Sequence, residues 1–480
     1  MSDARRFWVA GRPATGEQAF EVRHPYDGRT VASVSVPTAA QVEEAVTAAQ
    51  AVAAEAAALP AYARAEALAH VARRLAERAE EVARLITAEN GKPLTWARGE
   101  VARAVSTFRW ASEEARRWSG ELQRLDTDAG AAGRIAVTRR FPRGPVLAIA
   151  PFNFPLNLVA HKVAPAIAVG APVLIKPAPK TPLSALLLGE LLAECDLPAG
   201  MWSVLPLLNE ETAALVADPR LPVVSFTGSG PVGWGIKQAV PHKHVTLELG
   251  GNAAAVVCPD WSSEADLDVA AARIATFANY QAGQSCISVQ RVFADRSVFD
   301  ALAERITTAV AGARTGDPWD DATEVGPLID EAAARRVEEW IREAVAAGAK
   351  VLTGGTRDGA TVAPTVLVDV PADAKVSCEE VFGPVLVLDA VDGVDEAFAR
   401  VNASRYGLQA GVFTRDLPTA FRAHRELEVG GVVIGDVPSF RADQMPYGGV
   451  KESGVGREGV RYAMEDYTYE RVMVLTGLDL

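Results

Sequence analysis

Along residues 60–118, apolar and polar positions recur at helical spacing. Pro60 opens a run rich in Ala, Leu, Glu and Arg that reaches about Glu89, where Asn90-Gly91-Lys92-Pro93 supplies stop signals. A second helix is predicted over 95–118, ending near Gly120, and the Ala-rich stretch 44–58 also reads as helix, so the first 120 residues are expected to be helical in pattern. Residues 121–142 change character: Arg134 to Arg139 alternates enough for an exposed strand. From Gly144 to about Gly250, short apolar runs (PVLAIA, APVLIK, MWSVL, VVSF, HVTLEL) alternate with helical stretches. This is the signature of βαβ units and a parallel sheet. A second α/β series follows Gly250 with NAAAVV, RVFA, KVLTGG, VFGPVLVL and, near 430–436, GGVVIGD. The end, YTYERVMVLTGLDL, is strand-like and would be unstable as an isolated tail. At 480 residues the chain exceeds the roughly 250–300 that one hydrophobic core serves, so at least two cores are expected.

Composition narrows the class. Hydrophobic residues make up 49% and charged residues 23%, ordinary globular proportions that exclude a largely disordered chain, a collagen-like repeat and a disulfide scaffold. The net charge is −13 and no run of Lys and Arg forms a basic patch, which argues against a nucleic-acid partner. Cys195, Cys258, Cys286 and Cys378 contain no Cys-x-x-Cys pair, and no histidine falls in a His-Glu-x-x-His pattern, so no metal site is expected. So few cysteines fit a reducing compartment. The first residues lack the apolar stretch of a signal peptide, and the most apolar segment, 145–175, holds five prolines with Asn153, Asn157, His161 and Lys162. A membrane helix is therefore not expected, and the chain reads as cytoplasmic.

Two local patterns carry chemistry. Residues 226–233, FTGSGPVG, place Gly228, Gly230 and Gly233 in a Gly-x-Gly-x-x-Gly pattern between an apolar run and a helical stretch. Backbone N–H groups and a helix N-terminus there can hold a pyrophosphate, or the glycines can simply make a tight turn. Spacing alone would make Glu248, 20 residues on, the ribose ligand of a Rossmann unit. Among the cysteines, Cys286 stands apart in QAGQSCISVQR, among small and polar neighbours, whereas Cys258 follows AAVV, Cys195 lies near a helix end and Cys378 precedes two acids. A nucleophilic cysteine needs access and positive or dipolar support; a buried inert thiol is the alternative.

These pieces align with a family. From roughly Arg6 to the C-terminus the chain resembles the aldehyde dehydrogenase superfamily, through ENGKP (89–93), PFNFP (151–155), IKPAPKTP (175–182), FTGSGPVG, LELGGN (247–252), GQSC (283–286), EEVFGP (379–384) and PYGGVKESGVGREG (446–459). The resemblance implies two Rossmann-type α/β domains with open parallel sheets and a small β oligomerisation element. It implies Cys286 as nucleophile, Asn153 as the amide that stabilises the tetrahedral oxyanion, and Glu248 as general base, overturning the ribose role read from spacing. Lys176, after the run APVLI, would meet the adenosine ribose; Ser229 would touch the pyrophosphate; Glu380 would hold the nicotinamide ribose, with Phe382 beside the ring. Ala150, Pro151, Phe152, Phe226, Gly228, Val232, Leu249 and Gly250 would complete the cofactor cleft. Many NAD-preferring relatives carry Glu three residues after the Lys, but this chain has Pro179 followed by Lys180. A missing carboxylate removes repulsion against a 2′-phosphate, so NAD and NADP are both open.

The implied reaction is oxidation of an aldehyde to the carboxylate through a cysteine thiohemiacetal and thioester. An acylating relative that passes the acyl group to coenzyme A commonly lacks the base, and a silent nucleotide-binding paralogue would not retain Cys286, Asn153 and Glu248 together. PSFRADQMPYGG and QSCISVQR look closest to relatives acting on small polar or anionic aldehydes such as lactaldehyde, glyceraldehyde 3-phosphate or phosphonoacetaldehyde. Arg441 falls where the family has a substrate-facing loop; on composition alone it would be a solvated surface arginine. The implied division is a dinucleotide-binding domain over 1–120 and 143–249, a catalytic domain over 250–448, and an oligomerisation element over 121–142 and 460–480, giving a homodimer or homotetramer.

Overall fold

The computed structural model describes residues 4–478. Four helices precede the first long strand series: α1 (Ala39–Ala58), α2 (Ala61–Glu77), α3 (Ala79–Asn90) and α4 (Leu94–Arg117). The single helix expected over 60–89 is therefore two. Arg78 adopts φ −103°, ψ 20°, yet its N–H still donates to the Arg74 carbonyl and its own carbonyl accepts from Val82, so the chain bends with neither glycine nor proline to mark the place. The helical expectation for the first 120 residues also fails at the start. Residues 7–36 form β1 (Phe7–Val9), β2 (Arg12–Ala14), β3 (Gln18–Arg23) and β4 (Thr30–Val36). The β1–β2 turn, Ala10-Gly11, has positive φ at both residues, and Phe7 is fully buried.

The first large sheet has eight strands. Its five parallel members run Trp202–Val204, Val173–Lys176, Val146–Ile149, Val223–Thr227, His244–Glu248, flanked by β1 and β2 on one edge and Gly454–Val455 on the other. In chain order this is 3-2-1-4-5, a doubly wound arrangement whose order reverses between Val146–Ile149 and Val223–Thr227. Ligands bind such sheets outside the carboxyl ends of the strands at that reversal. Register fixes which residues stand there: Lys176 is level with Ile149, Ile149 with Phe226, and Thr227 with Glu248.

The helices behind this sheet are capped by buried acids from α3 and α4. Every residue of α5 (Asn157–Val169) is buried, His161 and Lys162 included. Its N-terminal amides of Leu156 and Asn157 donate to Glu100 at 2.9 and 3.0 Å, and Glu100 in turn pairs with the fully buried Lys92. The amides of Leu183 and Ser184, at the start of α6 (Leu183–Ala193), donate to Glu89 at 2.6 and 2.9 Å. Carboxylates satisfy the N–H groups that a helix leaves unpaired, and they complement its dipole.

A second sheet of seven strands follows, in the order Lys350–Thr353, Thr365–Val368, Val385–Val391, Arg291–Asp295, Ala254–Val257, Gln409–Phe413, Gly431–Ile434, all parallel except the first. A third sheet pairs Thr468–Thr476 with Arg134–Pro142 over nine residues, and Leu122–Arg124 with the latter. Residues 460–467 pack elsewhere than the sequence division placed them: Val460, Met464 and Tyr467 join the core of the first sheet, because this short helix lies on α5. Among the described residues no helix is long and apolar enough to cross a membrane.

Candidate active site

Cys286 sits half-buried after a left-handed run. Gln281, Ala282 and Gly283 all have positive φ, and a Cβ at Gly283 would meet the Gly383 carbonyl at 2.1 Å. Two non-glycine residues in this region are strained, and they hold because surrounding amides over-determine them. Gln281 Nε2 donates to Asn90 Oδ1 (2.6 Å), Asn90 Nδ2 to the Phe152 carbonyl (2.7 Å), and Asn153 Nδ2 to the Gln284 carbonyl (3.0 Å). Gln284 Oε1 accepts from the Ile329 N–H at 2.9 Å. The loop carrying Asn153 and the loop carrying Cys286 are thereby tied to each other and to the end of α3. Asn153 has a second amide hydrogen that this contact leaves unused.

Glu248 ends its strand with both carboxyl oxygens buried and without a hydrogen-bond partner. Burial and the charge of Glu458 push its carboxyl well above the usual range, against Arg441, Lys162 and Arg457. Glu458 goes the other way: burial would raise it, but Lys162 and Arg441 prevail and hold it at about 2. Its oxygens accept from Lys162 Nζ at 3.1 Å and Arg441 Nη2 at 3.0 Å. Glu458, Lys162 and Tyr447 were not singled out in the sequence; the Gly-Arg-Glu-Gly and Pro-Tyr-Gly-Gly strings that hold two of them were visible only as blocks.

Arg441 is not a solvated surface arginine. Its side chain is 5% exposed, its guanidinium lies 3.8 Å above the Tyr447 ring, and the Tyr447 hydroxyl is 2.8 Å from Cys286 Sγ. Its Nε is buried and has no partner. Beside it, Asp443 accepts from Arg103 (3.2 Å) and meets His161 Nε2 (3.3 Å). Burial and Arg441 lower the His161 ring to about 4, so it is neutral at pH 7. The thiol of Cys286 is pushed up to about 11, chiefly by burial, with Glu380 and Glu248 adding and Tyr447 and Arg441 opposing.

The remaining sequence candidates line the carboxyl edge of the first sheet and the gap to the second. Lys176 donates to Asn209 Oδ1 at 2.8 Å, and burial lowers its ammonium to about 8. Ala150 follows the neighbouring strand, its N–H donating to the Lys176 carbonyl, and Pro151 and Phe152 continue from it. Phe226 is buried beneath the turn: a Cβ at Gly228 would lie 2.6 Å from its ring, and one at Gly233 2.4 Å from Leu249. Gly228 and Gly233 thus let this helix close on the sheet. Ser229 caps the helix Gly230–Ala239 with its hydroxyl committed to no backbone N–H, nothing crowds Gly230, and Val232 is 53% exposed. Glu380 Oε1 accepts from the Gly251 N–H at 3.0 Å, and its other oxygen lies where a Gly250 Cβ would stand. Burial raises its carboxyl to about 7. Phe382, at positive φ, meets Phe152 edge to face at 5.9 Å. A free helix N-terminus, an uncovered apolar helix face and a lysine at the next-but-one strand end fit a dinucleotide laid across the sheet reversal. Lys180, by contrast, reaches away to Asp330 at 2.8 Å.

A doubly wound sheet of the dinucleotide-binding kind facing a half-buried cysteine, with an orphaned glutamate and an anchored amide, defines an NAD(P)-dependent oxidoreductase. Residues 8–473 match the aldehyde dehydrogenase family, and the chain belongs to it. It is 42% identical over 469 residues to 3-sulfolactaldehyde dehydrogenase of Priestia megaterium, covering 98% of this chain and 97% of that one. Its fold is similar to that of aldehyde dehydrogenase 21 from Physcomitrella patens in complex with the reaction product succinate, with TM-score 0.97, 44% identity and 99% of both chains covered. It is also similar to glyceraldehyde-3-phosphate dehydrogenase GapN from Methanocaldococcus jannaschii complexed with NADP, with TM-score 0.91, 34% identity, and 96% and 100% covered. The expectation of an aldehyde-oxidising enzyme with this fold is met.

Proposed function

We propose that this enzyme oxidises a small anionic aldehyde to its carboxylate through covalent attachment to Cys286. The Cys286 sulfur adds to the aldehyde carbon, and the resulting oxyanion is held by the free amide hydrogen of Asn153 and the Cys286 backbone N–H. A bound nicotinamide would supply the hydride acceptor that oxidation of the thiohemiacetal to a thioester requires. Lys176, Ser229, Glu380 and Phe382 are the residues that would hold this cofactor, with Ala150, Pro151, Phe152, Phe226, Gly228, Val232, Leu249 and Gly250 shaping the cleft. Glu248, unpartnered and pushed upward by burial, takes the proton from the water that hydrolyses the thioester, which favours the free acid over transfer to coenzyme A.

The observation that carries the anionic substrate is Arg441. Its Nε is a buried donor with no partner, one aromatic ring away from the Cys286 sulfur. Its neighbours are already paired: Glu458 meets both Lys162 and Arg441, and Asp443 meets Arg103, so none of them is left to take the Arg441 Nε. A buried donor needs a partner, and a substrate carboxylate, sulfonate or phosphate supplies one. The named relatives agree in kind: a sulfolactaldehyde, a succinate product and a glyceraldehyde 3-phosphate. The test is a pair of aldehydes matched in size, one anionic and one neutral. Arg441→Gln should lower kcat/KM for the anionic member by about 10- to 100-fold more than for the neutral one. Equal losses would remove Arg441 from substrate recognition.

The third sheet carries the proposed oligomer contact. Val472, Met473 and Val474 are about half exposed on its edge strand, and Leu122 is exposed on the opposite strand. An unpaired edge with apolar side chains seeks another copy of itself, so we propose a homodimer or homotetramer. A thiol nucleophile further implies a reducing, cytoplasmic setting.

A further inference from the structure

Among the described residues the Tyr447 hydroxyl is the one side-chain group within hydrogen-bond distance of the Cys286 sulfur, at 2.8 Å. The phenol cannot readily swing away. Its ring is 3% exposed and lies beneath the Arg441 guanidinium, which Glu458 holds from the far side. Its backbone is pinned too: the Tyr447 N–H donates to the Glu458 carbonyl at 2.9 Å, and the Glu458 N–H returns to the Tyr447 carbonyl at 2.6 Å. The other ionisable groups facing the sulfur come from three further elements. Glu248 ends the His244–Glu248 strand and Glu380 precedes the Val385–Val391 strand, and both oppose negative charge; Arg441, on the loop before Tyr447, favours it. Behind them, Lys162 of α5 and Glu458 neutralise one another. Among the described residues no imidazole or other neutral base touches the sulfur, so the group in contact is a donor that keeps its own proton, since burial pushes the phenol well above its ordinary value.

We propose that the Tyr447 hydroxyl donates a hydrogen bond to the ionised Cys286 sulfur, stabilising the thiolate both as attacking group and as leaving group. The inference rests on Cys286 being the nucleophile. On attack, the S–H bond has broken and its proton has gone to solvent, the electron pair left on sulfur forms the S–C bond, and the carbonyl π pair moves onto oxygen. On hydrolysis, water oxygen bonds to the acyl carbon, its proton passes to Glu248, and the S–C pair returns to sulfur. Tyr447 neither gains nor loses a proton in either step. A donor to a charged partner shifts the equilibrium by about one to two pH units. It also dulls the thiolate, since nucleophilicity falls as pKa falls with a slope of about 0.4–0.5. The two effects oppose each other on either side of the thiol inflection, which gives a signature that simple loosening of the pocket would not.

The experiment measures the rate at which iodoacetamide alkylates Cys286 as a function of pH in the whole protein without aldehyde. The Cys286 peptide is followed by mass so that Cys195, Cys258 and Cys378 do not contribute. For Tyr447→Phe the inflection should rise by about one to two units, with alkylation roughly three- to twelvefold slower below the native inflection and faster above the new one, so that the curves cross. An inflection that stays put or falls overturns the proposal. If Tyr447→Phe does not fold, a ring-fluorinated tyrosine at 447, a stronger donor, should move the inflection down; no movement, or an upward one, overturns it equally. Turnover of Cys286→Ala separates the two readings: if that variant still oxidises aldehyde, the nucleophile assignment fails whatever the alkylation curves show.

Discussion

On the proposed cofactor placement, Pro179 takes the position from which a carboxylate would accept hydrogen bonds from the adenosine ribose, and Lys180 beside it is occupied by Asp330. Residue 179 itself therefore brings no charge to repel a 2′-phosphate. Pro179→Glu should raise KM for NADP by at least about tenfold while leaving kcat with NAD near its native value, since like charges in close contact cost roughly a unit of pK or more; initial rates with both cofactors check it. Lys176→Ala should raise cofactor KM and spare kcat. The pH dependence of turnover follows from Glu248. A base works only when ionised, and its carboxyl is held well above the usual range, so steady turnover should fall as pH drops through that raised value. Of the proposed chemistry, Cys286, Asn153 and Glu248 could be named from the sequence because each lies in a contiguous string that resembles a family motif. Tyr447, Glu458 and Lys162 were not, because their meaning depends on three segments meeting: a tyrosine for the sulfur, and a lysine on α5 for a glutamate nearly 300 residues later.

Helix positions were more legible than their boundaries or their anchors. The five parallel strands between 146 and 248 announce themselves as apolar runs because both faces of the sheet are covered. The strands before residue 37 do not. β1 and β2 are three residues each, β3 is mostly exposed and, among the described residues, pairs with β4 alone, and β4 mixes valine with serine and threonine, so no long apolar run marks them. The kink at Arg78 keeps its flanking hydrogen bonds and leaves no trace in composition. The acid caps are equally silent in sequence, yet they bear on the site, since Glu100 fixes the start of α5 immediately after the PFNFP loop. Glu100→Ala would leave Lys92 charged and alone in the core and two amides uncapped. We expect a loss of about 3–5 kcal/mol, read by urea unfolding, and a much smaller loss in the paired variant Lys92→Met with Glu100→Leu.

Across the whole molecule, two α/β sheets meet along a seam where the proposed cofactor and substrate residues interleave, and the third sheet leaves its apolar edge strand uncovered. Light scattering should return two or four chains per particle; a monodisperse monomer would contradict the proposed contact. The seam also explains why the sequence division misplaced 460–467: the chain crosses back to the first core before the last strand departs, and only packing reveals that return. In the proposed mechanism labour is divided across the seam: Cys286 from one side makes the acyl-enzyme and Glu248 from the other hydrolyses it. Rapid mixing of Glu248→Gln with aldehyde at saturating cofactor tests it most directly. The expected result is a burst of one equivalent of reduced cofactor followed by steady turnover about 10²- to 10⁴-fold below native. A near-normal kcat with a much weakened cofactor KM would contradict it and return Glu248 to the ribose.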